Sequence, residues 1–282
     1  MDYESLLHGI AWTKSKWGPP KLYRRRKCKK YIDFSYSGLR QRGDDYWLHL
    51  ERMGEKELGE EVINCFLNIK EFNCHIDNPG TDKGDKLVQN LKNAVDALPD
   101  AYAALAGCTI ENVDFRQKSI RSRIDQIYFC LCAIDPDFPT FVRKVPATKL
   151  MHMALPALFV MWDNDIIKSY DVPLMGDTPF YSAFLMLMQE NIRHIRETNP
   201  KGTDMTSQEL ARQINKQCGY DSLAMPRLLD IANYAVSRKG SGIQKCSKCI
   251  EVTNRRLETV EWYDERFKPG LFRILGRAPV GG

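Results

Sequence analysis

The chain has 282 residues, an apolar fraction of 43% and a formal charge of +5. That length suits one large domain or two small ones, and that apolar content excludes a disordered chain. No apolar run approaches the roughly 20 residues that cross a bilayer, and the opening MDYESLLHGIAW has an early acid and no basic stretch, so neither a membrane span nor a signal peptide is expected.

Residues 1–20 predict a short helix ending near Trp17-Gly18, stopped by Pro19-Pro20. Lys21–Lys30, KLYRRRKCKK, then carries seven positive charges, which leaves the rest of the chain net negative by two. The basic character is therefore local. Lys21, Arg24, Arg25, Arg26 and Lys27 are candidate phosphate contacts, with Trp17 and Tyr23 nearby to stack on bases. A solvated basic loop is the ordinary alternative.

Residues 31–54 are aromatic and mixed, with a short helix expected around Asp45–Met53. From Glu55 the pattern is helical, with Leu58, Val62, Ile63, Phe66 and Ile69 on the 3.6-residue period. Asn78–Asp85 is a loop by composition, and Leu87, Leu91 and Val95 mark another helix. Pro99-Asp100 opens a short helix through Leu105 that Gly107 ends. Ser119–Ile134 is an amphipathic helix with Ile124, Ile127, Tyr128 and Leu131 inside. Arg116, Lys118, Arg121 and Arg123 crowd its entrance. Cys130 and Cys132 read as small buried hydrophobes.

Phe180–Arg196 is a long helix with Phe184, Leu185, Met188 and Ile192 inside, and Met186 and Met188 as core filler. Thr206 opens the next helix in a capping box with Glu209. Ser222–Arg238 and Glu251–Phe267 are the remaining helical runs, and Pro269–Gly282 is a loosely specified tail. No sustained strand pattern and no solenoid repeat occur. The expected fold is all-α, with roughly ten helices. The expected organisation is a basic and aromatic N-terminal segment over 1–54, as a separate unit or an arm on the body, a helical body over 55–268 and a tail over 269–282.

The motifs of familiar chemistry are missing. There is no Walker loop, no G-x-G-x-x-G and no G-x-S-x-G, and the five histidines fall in no H-E-x-x-H spacing. Cys246-Ser247-Lys248-Cys249 is half of a four-thiolate set with no second C-x-x-C, so unmetallated thiols are the better reading. Nine cysteines are scattered without a framework, which fits free thiols in a reducing cytoplasm. Neither a metal nor a cofactor is expected.

One stretch remains, Val145–Tyr170, VPATKLMHMALPALFVMWDNDIIKSY. An apolar helix carries Lys149 and His152, Leu155-Pro156 breaks it, and Trp162-Asp163-Asn164 opens another helix. Asp163 or Asn164 can cap that helix. Lys149 lies among Leu150, Met151 and Met153, where partial desolvation would lower its pKa and free the amine as a nucleophile. Lys149 and Asp163 are the candidate catalytic pair, and His152, Trp162 and Asn164 the candidate pocket. The ordinary alternative makes Lys149 an exposed helix residue and Asp163 a cap.

A lysine-bearing helix, a turn and an aliphatic-Asp junction opening a new helix resemble the active-site region of helix-hairpin-helix DNA glycosylases. Val145-Pro146-Ala147-Thr148-Lys149 stands where that family has its hairpin end and lysine, and Val160-Met161-Trp162-Asp163-Asn164-Asp165-Ile166 where it has its aspartate junction. The Lys…Pro…Trp-Asp-Asn pattern also looks like that of uncharacterised prokaryotic proteins. The first resemblance implies a flipped base in a pocket between helices. Asp163 would then stabilise the sugar cation or activate the nucleophile, and Lys149 would attack C1′ and form a Schiff base. DNA would be the partner, its backbone held by the basic run at Lys21–Lys30 and by the arginines over 116–123, Arg121 and Arg123 among them. Two non-enzymatic readings stand beside it: a nucleic-acid-binding protein in which 145–170 is core, and a helical scaffold in a protein complex.

Overall fold

The computed structural model describes residues 1–17, 97–132, 144–170, 174–175, 178–201, 204–220, 223–238 and 240–259, together with Asp82, Lys86, Gln89, Asn90 and Asn93. Lys21, Arg24, Arg25, Arg26 and Lys27, the helical pattern from Glu55 to Ile69, and the tail over 269–282 lie outside the described residues.

Among the described residues the fold is α-helical apart from one two-rung ladder. The helices are α1 (Tyr3–Trp17), α2 (Pro99–Ala103), α3 (Lys118–Cys132), α4 (Lys144–Ala154), α5 (Asn164–Ser169), α6 (Tyr181–Glu197), α7 (Ser207–Cys218), α8 (Met225–Val236) and α9 (Ser247–Glu258). Between α5 and α6, β1 (Leu174–Met175) pairs antiparallel with β2 (Thr178–Pro179). Asp82, Lys86, Gln89 and Asn93 are helical and exposed, at spacings of one helical face. Asp82 lies within Asn78–Asp85, expected as a loop, so helix reaches into that stretch, while Leu87, Leu91 and Val95 lie outside the described residues.

The centre of the packing is α6. It meets α1, α3, α7, α8 and α9. Ala183, Phe184, Leu185, Met186 and Met188 are each 0% exposed, so this helix is apolar nearly all round, as a central helix must be. Met186 and Met188 are core filler as expected. The helices around it are amphipathic: Leu6 and Ile10 of α1, Ile124 and Ile127 of α3, Leu210 and Ile214 of α7 and Leu228 and Leu229 of α8 point inward.

The first 17 residues of the 1–54 segment belong to the body, because α1 packs along α8 and also touches α6 and α7. Gly9 is what allows the close approach. A Cβ at Gly9 would lie 3.1 Å from both Cα and Cβ of Ala232. Lys14 Nζ donates to the Cys218 carbonyl at 2.7 Å, satisfying an end carbonyl of α7, and Thr13 donates to the Ile231 carbonyl at 3.0 Å.

Helix boundaries follow local chemistry. Thr206 and Glu209 form the expected capping box, and Gly219 closes α7 in the left-handed conformation at φ 66°. Pro156 ends α4 at Ala154, as its missing N–H requires. The last helix among the described residues begins at Ser247, four residues before the expected Glu251. Cys246 is its N-cap, with Sγ accepting the Cys249 N–H at 3.3 Å. Cysteine is an unusual cap, and residue-type preferences pass over it.

Candidate functional site

The Val145–Tyr170 stretch folds as helix, turn, helix. Thr148 on α4 holds the turn to the following junction. Its Oγ1 accepts the Trp162 N–H at 3.4 Å and lies 3.5 Å from the Trp162 carbonyl, both across 14 residues. The helix that carries Lys149 is thereby tied to the junction that carries Asp163. Lys149 itself is half-buried.

Asp163 is the N-cap of α5. Its Oδ1 accepts from the Asp165 N–H at 2.9 Å and from the Ile166 N–H at 2.7 Å. Two of the donors that a helix start leaves open are thus satisfied by one carboxylate oxygen, and the negative charge sits at the positive end of the helix. Asn164 is exposed at the first position of α5.

Trp162 and His152 do not line an open surface. Trp162 is 1% exposed, with ring centroids of Phe184 at 4.8 Å, Tyr181 at 5.0 Å and Tyr128 at 5.6 Å. Such edge-on and tilted contacts are what aromatic quadrupoles favour. His152 is 2% exposed, and its Nδ1 lies 2.6 Å from the Phe159 carbonyl. Only a protonated Nδ1 can donate to that carbonyl, which fixes the neutral tautomer. Burial pushes the ring down to about 4, against the hydrogen bond to Phe159 and with the charge of Arg227 in the same direction. The expectation that His152 and Trp162 form a base-binding pocket is corrected on this point: both are enclosed by core, and a flipped base has no surface of theirs to meet.

The same correction applies to Arg121. It is 2% exposed and its guanidinium donates to the Phe115 carbonyl at 2.5 Å, six residues back. A side chain held there cannot reach a backbone phosphate. Arg123 is half-buried on the same helix and donates to Gln126 Oε1 at 3.2 Å.

Three buried polar arrangements escaped the sequence reading. Asp125 on α3 accepts the Ser182 N–H at 2.9 Å and the Ser182 hydroxyl, at the start of α6, where the N-cap residue Phe180 supplies no side-chain acceptor. Burial pushes the Asp125 carboxyl up to about 6, although Ser182 and the charge of Arg121 pull it down. Glu190 on α6, 4% exposed, takes Arg193 Nη2 at 2.7 Å and is also bridged by Arg256 of α9. Asn233 on α8, 0% exposed, accepts the Tyr170 hydroxyl at 2.7 Å and lies 3.0 Å from Met188 Sδ. Each has a partner far along the chain, Ser182 for Asp125, Arg256 for Glu190 and Tyr170 for Asn233, and no local spacing announces those contacts. The one usable signal was a polar residue on an otherwise apolar stripe, as Asp125 is between Ile124 and Ile127.

At the start of α9, Cys246 is half-buried and Cys249 is 2% exposed. Cys249 Sγ lies 3.7 Å from the Glu190 carbonyl. Burial raises the Cys246 thiol, but hydrogen bonds from the Cys249 thiol and N–H, together with the charge and a hydrogen bond of the Met1 ammonium, outweigh it and hold the group below its ordinary value. Cys249 is pushed up to about 12, by burial first and by its hydrogen bond to Cys246 second. Among the described residues no group of three or more His, Cys, Asp or Glu side chains is placed to hold a metal ion, and no helix is long and apolar enough to cross a membrane. Comparison with protein-family models, with curated proteins and with solved structures finds no match for this chain.

Proposed function

We propose that the chain is a helical nucleic-acid-binding protein without catalytic activity, in which residues 145–170 are part of the core. The observation that carries this reading is the engagement of the 145–170 side chains in the fold. Thr148 and Trp162 lock the turn, His152 is buried neutral against Phe159, and Asp163 caps α5. Binding falls to the seven positive charges of Lys21–Lys30, set in a chain that is otherwise net negative. Cations in that density displace condensed counterions from a phosphate backbone. DNA is the preferred partner of the reading, and the contact is to backbone, without base specificity.

Base excision is the second reading, with Lys149 as nucleophile and Asp163 as activator. One observation favours it: the Thr148–Trp162 bridge brings the lysine helix against the aspartate junction.

A single pair of assays separates the two. Wild type, Lys149→Ala and a triple variant with Arg24, Arg25 and Arg26 changed to Ala are mixed with duplexes carrying damaged bases or abasic sites. The binding reading expects a gel shift for wild type and Lys149→Ala alike, with no borohydride-trapped adduct. It expects the triple variant to bind more weakly, with its salt slope reduced by up to about three, close to one unit per lost phosphate contact. An adduct that disappears in Lys149→Ala would overturn it in favour of base excision. Absence of any shift at low salt would remove nucleic acid from both readings.

A further inference from the structure

The C-x-x-C of α9 has no part in the nucleic-acid reading. We propose that Cys246 and Cys249 are a redox dithiol that exchanges with disulfides, Cys246 as the attacking thiol and Cys249 as the resolving one. The two cysteines stand three residues apart, at the N-cap and in the first turn of a twelve-residue helix. That spacing puts the Cα atoms within the range a disulfide requires.

The two thiols have different surroundings, and the difference assigns their roles. Cys246 sits at the N-cap, half-buried, with the Cys249 N–H aimed at its Sγ from 3.3 Å. A thiolate there accepts a first-turn helix N–H, that of Cys249, and meets the positive end of the helix dipole, the setting in which cysteines become nucleophilic. Cys249 is 2% exposed, over the Glu190 carbonyl, so a bulky disulfide reaches Cys246 first. The hydrogen bonding that lowers Cys246 and the burial that raises Cys249 agree with that order. Cys108, Cys130 and Cys218 are all raised by burial, and Cys130, at 0% exposure, is pushed up to about 12.

The exchange balances without a metal or cofactor. The Cys246 thiolate attacks one sulfur of a disulfide, forming a mixed disulfide and releasing the other half as a thiolate, which takes a proton from solvent. Cys249 loses its proton and its sulfur attacks Cys246 Sγ, expelling the second half as a thiol. The protein has lost two electrons and two protons to become the Cys246–Cys249 disulfide, and the oxidant, a disulfide, has become two thiols.

The test equilibrates the reduced full-length chain with glutathione buffers from fully reduced to fully oxidised, followed by acid quench, alkylation and peptide mass spectrometry. The expected result is a Cys246–Cys249 peptide two hydrogens lighter, appearing along a two-electron titration. In Cys249→Ser the exchange stops halfway, with one glutathione on Cys246. In Cys246→Ser neither the disulfide nor a glutathione adduct at Cys249 forms, and the serine hydroxyl keeps a capping acceptor, so the fold is retained. In native wild type, limiting iodoacetamide labels Cys246 several-fold faster than Cys108 or Cys218. Failure of the Cys246–Cys249 bond to form in fully oxidised glutathione, or labelling of Cys246 no faster than Cys108, overturns the proposal.

Discussion

Asp125, on α3, accepts both the backbone N–H and the hydroxyl of Ser182 at the first turn of α6, 57 residues further along the chain. The central helix is therefore capped by a different helix. Its own N-cap residue, Phe180, has no acceptor to offer, and its ring packs into the core with Phe129 at 6.3 Å. One carboxylate in this way fixes where α6 starts and how α3 lies against it.

Replacing Asp125 with Ala leaves a buried N–H and a buried hydroxyl without their acceptor. The expected loss is about 2–4 kcal/mol, the range for stranding buried polar groups. Ser182→Ala removes only the hydroxyl and should cost about 1 kcal/mol. Denaturant unfolding of both single variants and the double variant measures the coupling. Independent, additive losses would show that the contact does not tie the helices together.

The contrast between this cap and the one at Thr206 shows what a chain reveals directly. Thr206 and Glu209 are three residues apart, and their capping box is written in that spacing. The helical stripes, the Pro156 break and the burial of Met186 and Met188 are legible for the same reason: they follow from period and local chemistry. Arg121 is the opposite case. Nothing local says that a guanidinium in a basic cluster turns inward, because the Phe115 carbonyl that receives it is positioned by the turn that precedes α3. At the candidate site, the cap made by Asp163 was legible from Trp-Asp-Asn. The enclosure of Trp162 was not, because Tyr128, Tyr181 and Phe184 come from two other helices.

Gly9 gives a prediction that runs against helix propensity. In an exposed helix, Gly→Ala stabilises by about 1 kcal/mol. Here the added methyl meets Ala232 Cα and Cβ at 3.1 Å, and backbone atoms of a packed helix cannot swing aside. Overpacking of that kind costs about 1–3 kcal/mol, so Gly9→Ala should show no gain and a net loss of up to about 2 kcal/mol. Ala232→Gly should relieve the clash, leaving the double variant less destabilised than the sum of the two. Additive losses in thermal unfolding would show that α1 and α8 can separate without cost.

Asp163 permits structure and chemistry to be separated. Asp163→Asn keeps a side-chain oxygen for the Asp165 and Ile166 N–H groups and should unfold within a few tenths of a kcal/mol of wild type. Asp163→Ala loses both bonds and should cost about 1 kcal/mol. If the residue only caps α5, nucleic-acid binding is unchanged in both. A base-excision role predicts instead that the well-folded Asn variant loses all trapped or cleaved product, which makes Asp163→Asn the informative substitution.

Asp125 and His152 lean in opposite directions with pH. His152 is held near 4 against an ordinary value near 6.5, so the unfolded chain takes up its proton first on acidification. Its contribution to stability is complete above about 6.5 and is lost as pH falls towards 4. Asp125 is held near 6 against an ordinary 3.8, so the folded chain keeps its proton longer as pH rises. Its contribution is complete below 3.8 and is lost as pH climbs through 6. Each effect amounts to about 3 kcal/mol, and between pH 4 and 6 they oppose each other. Wild type should therefore show a muted dependence on these two groups, and removing one should expose the other. Asp125→Asn should lose stability on acidification from 6.5 to 4, and His152→Gln should lose less or gain over the same interval. Remaining titrations are common to both variants, so the difference between their stability curves isolates the pair. That difference should change by several kcal/mol across the interval, and parallel curves would show that neither burial shifts its group as the geometry requires.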